Sequence, residues 1–326
     1  MNDVELVYLT RGDHVDCVHR GRVALVDQDG GTIFSAGDPE GNVWLRSLAK
    51  PFQAAAVVEL GAADAFGLTS AELALMAGSH NGTAEQTALV RGVLEKVGIG
   101  LDHLRCGVSA PLDRRAAERL LLDGVKPTAL HHPCSGKHTG MLAAAAVQGW
   151  SLDDYDRADH PLQQAIVKSL ARDFSLPPEQ IAVALDGCGV PTFGVPLESV
   201  ALGFARLATA SSDSPLGRVA GAMRQHPTLF SGARRMDSTL MTVTRSRLIA
   251  KDGTEGIFAA AVPDRGIGLA LKISDGATRA SMPIVIALLA RFDCITPDEA
   301  RDLQAAYPAA INIHTGEQAA RIEVVI

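Results

Sequence analysis

The segment Arg46-Ser47-Leu48-Ala49-Lys50-Pro51 sets a serine three residues before a lysine. Residues three apart share a helix face, so the amine can approach the hydroxyl. A serine hydroxyl is a weak nucleophile until a base takes its proton. Lysine serves as that base only when burial or a neighbouring cation depresses its pKa. Pro51 disfavours helical geometry at Lys50 and is comfortable only in a first turn, so the helix begins either near Ser47 or at Lys50. The plainer alternative is a helix-capping serine and an exposed lysine. Two further motifs bear on the choice. Ser79-His80-Asn81 closes a helical run before Gly82, and Lys251-Asp252-Gly253 leads into an apolar strand. A second serine can relay protons, and a second lysine can hold down the pKa of the first. A backbone N–H on the following strand can share an oxyanion. Read blandly, both motifs are good turn sequences and nothing more.

A second constellation packs three histidines, a cysteine and a lysine into residues 131–138, His131-His132-Pro133-Cys134-Ser135-Gly136-Lys137-His138. Cys188 lies in another Gly-rich turn, Asp186-Gly187-Cys188-Gly189. Three readings compete. The thiols could be buried residues of a loop leading into a helix. Two thiolates from two tight turns could share a zinc ion, although the spacing is not that of a zinc finger. Cys134 could also be a nucleophile at a helix N-terminus with a histidine as base. His131, His132 and His138 each read more simply as satisfied loop residues than as ligands.

The elements that must position these residues follow from periodicity. Strands are expected at 15–19, 22–26 and 32–35, the last two joined by the hairpin turn Asp27-Gln28-Asp29-Gly30-Gly31. Helical patterns cover 50–60, 70–77, 84–97, 114–122, 137–147, 162–174 and 198–208, with an apolar strand at 181–185. The β pattern returns at 240–249, 256–262 and 267–274. Helical stretches at 278–292 and 297–306 follow, then a strand at 321–325. Strands at both ends of a helical middle predict one α+β catalytic unit over 1–326. Its sheet subdomain would span about 1–49 and 238–326, and its helical subdomain about 50–237.

Composition narrows the function classes. The 326 residues are 47% hydrophobic and 21% charged, the balance of a folded globular chain. Thirty basic against 37 acidic residues give a net charge of −7, and aromatics are 4%, which argues against nucleic acid as a partner. The five cysteines are too few and scattered for a disulfide scaffold. The acidic opening residues lack the pattern of a secretion signal, and the apolar run 282–290 is about half the length that spans a bilayer. These features predict a cytoplasmic protein with no membrane partner.

The order Ser-x-x-Lys, Ser-x-Asn, Lys-x-Gly resembles that of the penicillin-recognising serine enzymes. Asp252 stands where those enzymes usually carry a hydroxyl residue, a role Thr254 could fill. The longer stretches RSLAKPFQA (46–54), GSHNG (78–82), HHPCSGKHTGML (131–142), LDGCGVPTFGVPL (185–197) and KDGTEGIF (251–258) are similar to the rhizobial-type, or class 3, L-asparaginases. That resemblance implies a serine-β-lactamase and glutaminase-like fold, mainly antiparallel sheet packed with a helical subdomain, usually in a homodimer. It implies hydrolysis of the small-molecule substrate L-asparagine to aspartate and ammonia. Carried over by motif, Ser47 with Lys50 and Ser79 with Lys251 would form two Ser–Lys pairs. Cys134, Lys137 and Cys188 would bind zinc, with a water completing the shell. Asn81, Asp186 and His138 would support the substrate or the ligands. The rivals are a glutaminase or other Ser–Lys amidohydrolase, a hydrolase using zinc-bound water, and an inactive amino-acid or metal-binding protein.

Overall fold

Residues 2–308, 310, 311 and 314–326 are described by the computed structural model. The chain opens with β1 (Val4–Arg11), β2 (His14–Asp27), β3 (Thr32–Ala36) and β4 (Asn42–Trp44). A helical stretch follows: α1 (Lys50–Glu59), α2 (Ala62–Ala65), α3 (Ser70–Met76), α4 (Ala84–Val97), α5 (Arg114–Leu122), α6 (Ser135–Gln148) and α7 (Pro161–Asp173). A short hairpin, β5 (Ala182–Leu185) and β6 (Pro191–Pro196), precedes α8 (Leu197–Thr209), α9 (Pro215–Gln225) and α10 (Met236–Val243). The meander β7 (Ile249–Asp252), β8 (Ile257–Val262) and β9 (Ile267–Ile273) comes next. The chain closes with α11 (Ser281–Arg291), α12 (Pro297–Ala306), β10 (Ala310–Ile311) and β11 (Gln318–Val324).

β2 organises the main antiparallel sheet, whose order is β10-β11-β1-β2-β9-β8-β7. Its first half pairs with β1, residues 23–26 pair with β3 on the same side, and residues 21–27 pair with β9 on the other. The hairpin turn at Asp27–Gly31 forms as expected, closed by the Asp27 N–H donating to the Gly31 carbonyl. α8 packs across β2, β8 and β9, while α11 lies against β9 and β11. β8 is buried along its whole length. This is the expected α+β architecture, a mainly antiparallel sheet packed with helices.

α1 is the hub of the helical layer, packed by α6, α7 and α9. Every residue from Lys50 to Val58 is buried. Its alanines let the neighbouring helices approach closely, and Phe52 meets Phe174 and Phe204 edge-on at 4.7 and 5.6 Å. β4, β6 and β5 form a separate three-stranded antiparallel sheet that leads the chain into α1. Among the described residues no helix is long and apolar enough to cross a membrane.

The structure departs from the sequence expectation at several elements. The strand expected at 240–249 is α10 followed by a turn into β7; its β-branched residues suggested a strand, but burial of Leu240 and Met241 on one helix face prevails. The strands expected at 15–19 and 22–26 are one strand, because Gly21 marks a close approach and not a break: a Cβ there would lie 2.1 Å from the Lys272 carbonyl oxygen. β1 and β6 are additional, β6 being disguised by the prolines at its two ends. α1 itself starts at Lys50 with Pro51 in its first turn, the second of the two starts the sequence allows, preceded by a 3-10 turn over Arg46–Ala49.

Two glycines test how tightly the helical layer is packed. A Cβ on Gly78 would sit 1.5 Å from the Phe230 carbonyl oxygen, whereas one on Gly92, inside α4, would meet only Glu72 Oε1 at 3.9 Å. Denaturant unfolding of Gly78→Ala should therefore show a loss of about 1–3 kcal/mol or more. Gly92→Ala should gain up to about 1 kcal/mol from helix propensity.

Candidate active site

The small sheet delivers the first reactive segment. Leu45 N–H donates to the Phe193 carbonyl on β6, and Arg46 N–H donates to Thr192 Oγ1 at 3.2 Å. Arg46 has φ +48°, a left-handed conformation that is costly for a side-chain-bearing residue and is held here by its neighbours. Its Nε donates to Asp186 Oδ1 at 2.8 Å, which fixes the turn from the other side. Ser47 follows, half-buried, with its hydroxyl free of hydrogen-bond partners among the described residues. Lys50, 1% exposed, donates from Nζ to Ser79 Oγ at 2.7 Å and more weakly to the Pro133 carbonyl at 3.4 Å. No carboxylate pairs with it among the described residues. Burial pushes its pKa below the ordinary lysine value; Cys134 opposes that shift, and the charges of Lys137 and Lys251 add to it.

Ser79, His80 and Asn81 sit between two glycines. Gly78 is forced by its approach to Phe230, and Gly82 by φ +76°. The His80 ring is locked by its hydrogen bonds. Nδ1 accepts from Gly82 N–H at 3.1 Å, so Nε2 carries the proton toward Ser135 Oγ at 2.8 Å. The Ser135 hydroxyl in turn donates to the Leu130 carbonyl at 3.0 Å. Burial, then the charge of Lys50, lowers the His80 pKa to about 3 and keeps it neutral. Asn81 is tied by its main chain to Gln86 Oε1 and to Asp113 N–H. Gln86 also closes the capping box of α4 with Thr83. The buried Asn81 Oδ1 has no partner among the described residues, and Gly232 packs against the Asn81 amide.

Lys251 lies beside this group but not in the expected pairing with Ser79. Its Nζ, fully buried, donates to Asp237 Oδ2 at 2.7 Å, Asp252 Oδ1 at 2.7 Å and the Asp252 carbonyl at 2.9 Å. The Phe230 ring lies over it at 5.8 Å. Arg235 Nη2 takes both Asp252 oxygens at 2.9 Å. Burial tends to raise the pKa of both carboxyls. For Asp252 the charges of Lys251 and Arg235 overcome that effect and hold it well below the usual carboxylate range, whereas Asp237 stays raised beside Asp252. The Ser–Lys pairs expected from the motifs thus reduce to one hydrogen-bonded pair, Ser79–Lys50. The second lysine belongs to two aspartates because acidic partners outcompete a neutral hydroxyl for an ammonium.

The sulfur constellation does assemble. Lys137 Nζ lies 3.1 Å from Cys188 Sγ, and the Cys188 thiol adjoins that of Cys134. Asp186 Oδ2 is 3.6 Å from Cys188 Sγ. Cys134 N–H donates to His132 Nδ1 at 3.0 Å. The adjoining Cys188 thiol holds the Cys134 pKa well below an ordinary thiol's, against the effect of burial; Lys50 and Lys137 help. The shared hydrogen bond and burial raise Cys188 correspondingly. Burial disfavours a charge on Lys137, but Cys188 and Cys134 overcome it and raise its pKa. Two thiols and an amine in contact fit a soft, zinc-accepting donor set, provided Lys137 gives up its proton. Among the described residues no three His, Cys, Asp or Glu side chains are grouped to hold a metal, so the set needs its lysine. His138 turns elsewhere, with Nδ1 2.6 Å from the Tyr155 hydroxyl and Nε2 buried without a partner among the described residues.

Four contributors escape the sequence reading: Arg46, His80, Arg235 and Asp237. Nothing in the sequence announces a positive φ at Arg46. Asp237 was hidden because the segment beside it reads as a strand.

The sequence profile of the L-asparaginase II family matches residues 7–324. Among curated proteins none matches the sequence. The solved structures to which the fold is similar are distant. A β-lactamase from Mycobacterium bovis is 16% identical, with a TM-score of 0.44 over 83% of this chain and 94% of that one. An octameric penicillin-binding protein homologue from Pyrococcus abyssi is 12% identical, with a TM-score of 0.44 over 83% of this chain and 73% of that one. The crystal structure of Mglu is 14% identical, with a TM-score of 0.37 over 86% and 68%.

The thiol environments predict an order of reactivity. Cys134 is held toward the thiolate, whereas Cys188 is raised and burial pushes Cys106 up to about 12. In metal-free protein at mildly acid pH, peptide mass spectrometry after iodoacetamide treatment should find Cys134 alkylated ahead of Cys106, Cys188 and Cys294.

Proposed function

The chain belongs to the L-asparaginase II family, and from that premise we propose that it hydrolyses the side-chain amide of L-asparagine through a serine acyl-enzyme. The observation that carries this reading is the buried Lys50 amine, hydrogen-bonded to the Ser79 hydroxyl and unaccompanied by any carboxylate. A lysine so placed sheds its proton more easily than one in water and can act as a base near neutral pH.

In the reaction, Ser47 attacks the carboxamide carbon and its proton passes to Lys50, with Ser79 as the relay. A tetrahedral intermediate forms, and its collapse breaks the C–N bond. The proton held by Lys50 returns through Ser79 to the nitrogen, which leaves as ammonia. Water then attacks the acyl ester by the same route in reverse and releases aspartate. Lys251 stands by as a positive charge that disfavours a second one on Lys50. One observation favours a second assignment of the nucleophile: Ser79, and not Ser47, makes the direct hydrogen bond to the base. Trapping the acyl-enzyme and mapping the modified serine by mass spectrometry separates the two.

Cys134, Lys137 and Cys188 would hold a zinc ion in this reading. Bound there, zinc would supply a fixed positive charge at the edge of the substrate site. The chain's own part is to keep both thiols and the amine converged, and Asp186 links that cluster to Arg46 beside Ser47. The enzyme is taken to work as a homodimer on a free amino acid in the cytoplasm. Glutaminase activity on the same site is the nearest alternative, since one methylene is worth only about 1–3 kcal/mol of discrimination.

Ammonia release from asparagine and from glutamine tests the reading, and asparagine should be the better substrate. Lys50→Met should lower kcat by about 10²–10⁴-fold. Activity should fall as pH drops through the depressed Lys50 pKa, giving an acid limb below the ordinary lysine range. Protein that releases no ammonia from either amino acid, or that keeps full activity as Lys50→Met, overturns it. Elemental analysis after dialysis should find roughly one zinc per chain, lost in Cys188→Ser.

A further inference from the structure

We propose that Asp237 is a positioning residue of this site: it holds Lys251, together with Asp252, as a fixed ammonium beside the Ser79–Lys50 pair. The inference rests on the amidohydrolase reading for its catalytic consequence, but its geometry is independent of that reading.

An ammonium carries three N–H donors and no acceptor. All three hydrogens of Lys251 are taken, by Asp237 Oδ2, Asp252 Oδ1 and the Asp252 carbonyl. Each accepts from the ammonium. The amine therefore has no lone pair to offer a serine, and it serves by its charge and position. The groups that face it are Asp237 from α10, Asp252 from β7, the Phe230 ring, and Arg235 across Asp252. Two carboxylates against Lys251 and Arg235 leave the cluster neutral in charge.

The two aspartates are not equivalent. Asp252 divides its oxygens between Lys251 and the Arg235 guanidinium. Among the described residues Asp237 hydrogen-bonds no cation but Lys251. Its Oδ2 also accepts the Asp252 N–H at 3.2 Å, and its Oδ1 accepts the Ser238 N–H at 2.8 Å. It is 0% exposed and pins the first turn of α10 to β7. Removing its charge would leave Lys251 to compete with Arg235 for one carboxylate, and the ammonium would be drawn toward Asp252. That displacement would weaken the field that Lys251 contributes toward lowering the Lys50 pKa.

The test uses the full-length chain in four variants: Asp237→Asn, Asp237→Glu, Lys251→Met and the double variant Asp237→Asn with Lys251→Met. With ¹⁵N-labelled lysine, ¹H–¹⁵N spectra should contain a slowly exchanging Nζ–H₃ signal that disappears in Lys251→Met. It should move or broaden in Asp237→Asn and return in Asp237→Glu. An unchanged signal in Asp237→Asn overturns the proposal, whatever the activity. In kinetics, Asp237→Asn should lower kcat by about 10²-fold with KM little changed, and Asp237→Glu should recover part of the loss. The double variant should be no slower than Lys251→Met alone; a multiplicative loss would mean that Asp237 acts by another route and overturns the proposal. If Asp237→Asn does not fold, the double variant, which removes the buried pair together, supplies the comparison with Lys251→Met. Wild-type protein that gives the expected spectra but releases no ammonia would refute the amidohydrolase reading and leave Asp237 as the holder of Lys251.

Discussion

An ammonium taken out of water must be compensated or must lose its proton, and three lysines face that choice within one small volume. Lys50, Lys137 and Lys251 are 1%, 4% and 0% exposed. Even after relaxation, the penalty for a buried ion is several kcal/mol. Lys251 meets it with two carboxylates, Lys137 with the sulfur of two cysteines, and Lys50 with neutral acceptors, the Ser79 hydroxyl and the Pro133 carbonyl. The first two arrangements stabilise charge. The third does not, and on that ground Lys50 is the lysine proposed as the base. Environments that push like groups apart are what assign an acid and a base on one fold.

The scaffold is arranged around keeping those environments distinct. α1 carries Lys50 into a fully buried part of the helical layer, where no acidic side chain pairs with it among the described residues. Gly78 and Gly82 bring Ser79 to the amine by removing side chains where the chain touches Phe230 and turns into α4. The hairpin of β5 and β6 supplies Asp186 and Cys188 from one turn, so the anchor of Arg46 and the sulfur cluster share a support. His80, locked in one tautomer, fills the space behind Ser79 without adding a competing base.

Much of this was legible in the residues themselves. The helices from Lys50 to Thr209 follow from periodicity and Gly–Pro punctuation, and Ser47, Lys50, Ser79, Cys134, Lys137 and Cys188 were singled out by type and spacing. What could not be read was partnership. Ser-x-x-Lys places the two residues one turn apart, but Lys50 reaches across to α3's exit and bonds Ser79, a contact between distant segments. Lys251 looked like a proton carrier because its aspartate on α10 lay in a stretch whose β-branched residues suggested a strand. Arg46 was missed for a different reason: a positive φ is imposed by tertiary contacts with Thr192 and Asp186, and leaves no mark on an arginine codeword.

The pairing of β2 with β9 carries a consequence for how the molecule is made. Residues 21–27 lie in register with residues 267–273, so the middle of the main sheet joins segments about 240 residues apart. Contacts of such long sequence separation form late, because loop-closure entropy must be met before they stabilise anything. Ser47 emerges from a ribosome about 200 residues ahead of Lys251 and can settle beside its helix, but β7 brings Lys251 to it once β8 and β9 have added to β2. A growing chain therefore carries its serine and its first lysine through the synthesis of the residues that separate them from Lys251, without the charge that completes their setting. Assembly of the reactive centre is in this way timed to closure of the sheet.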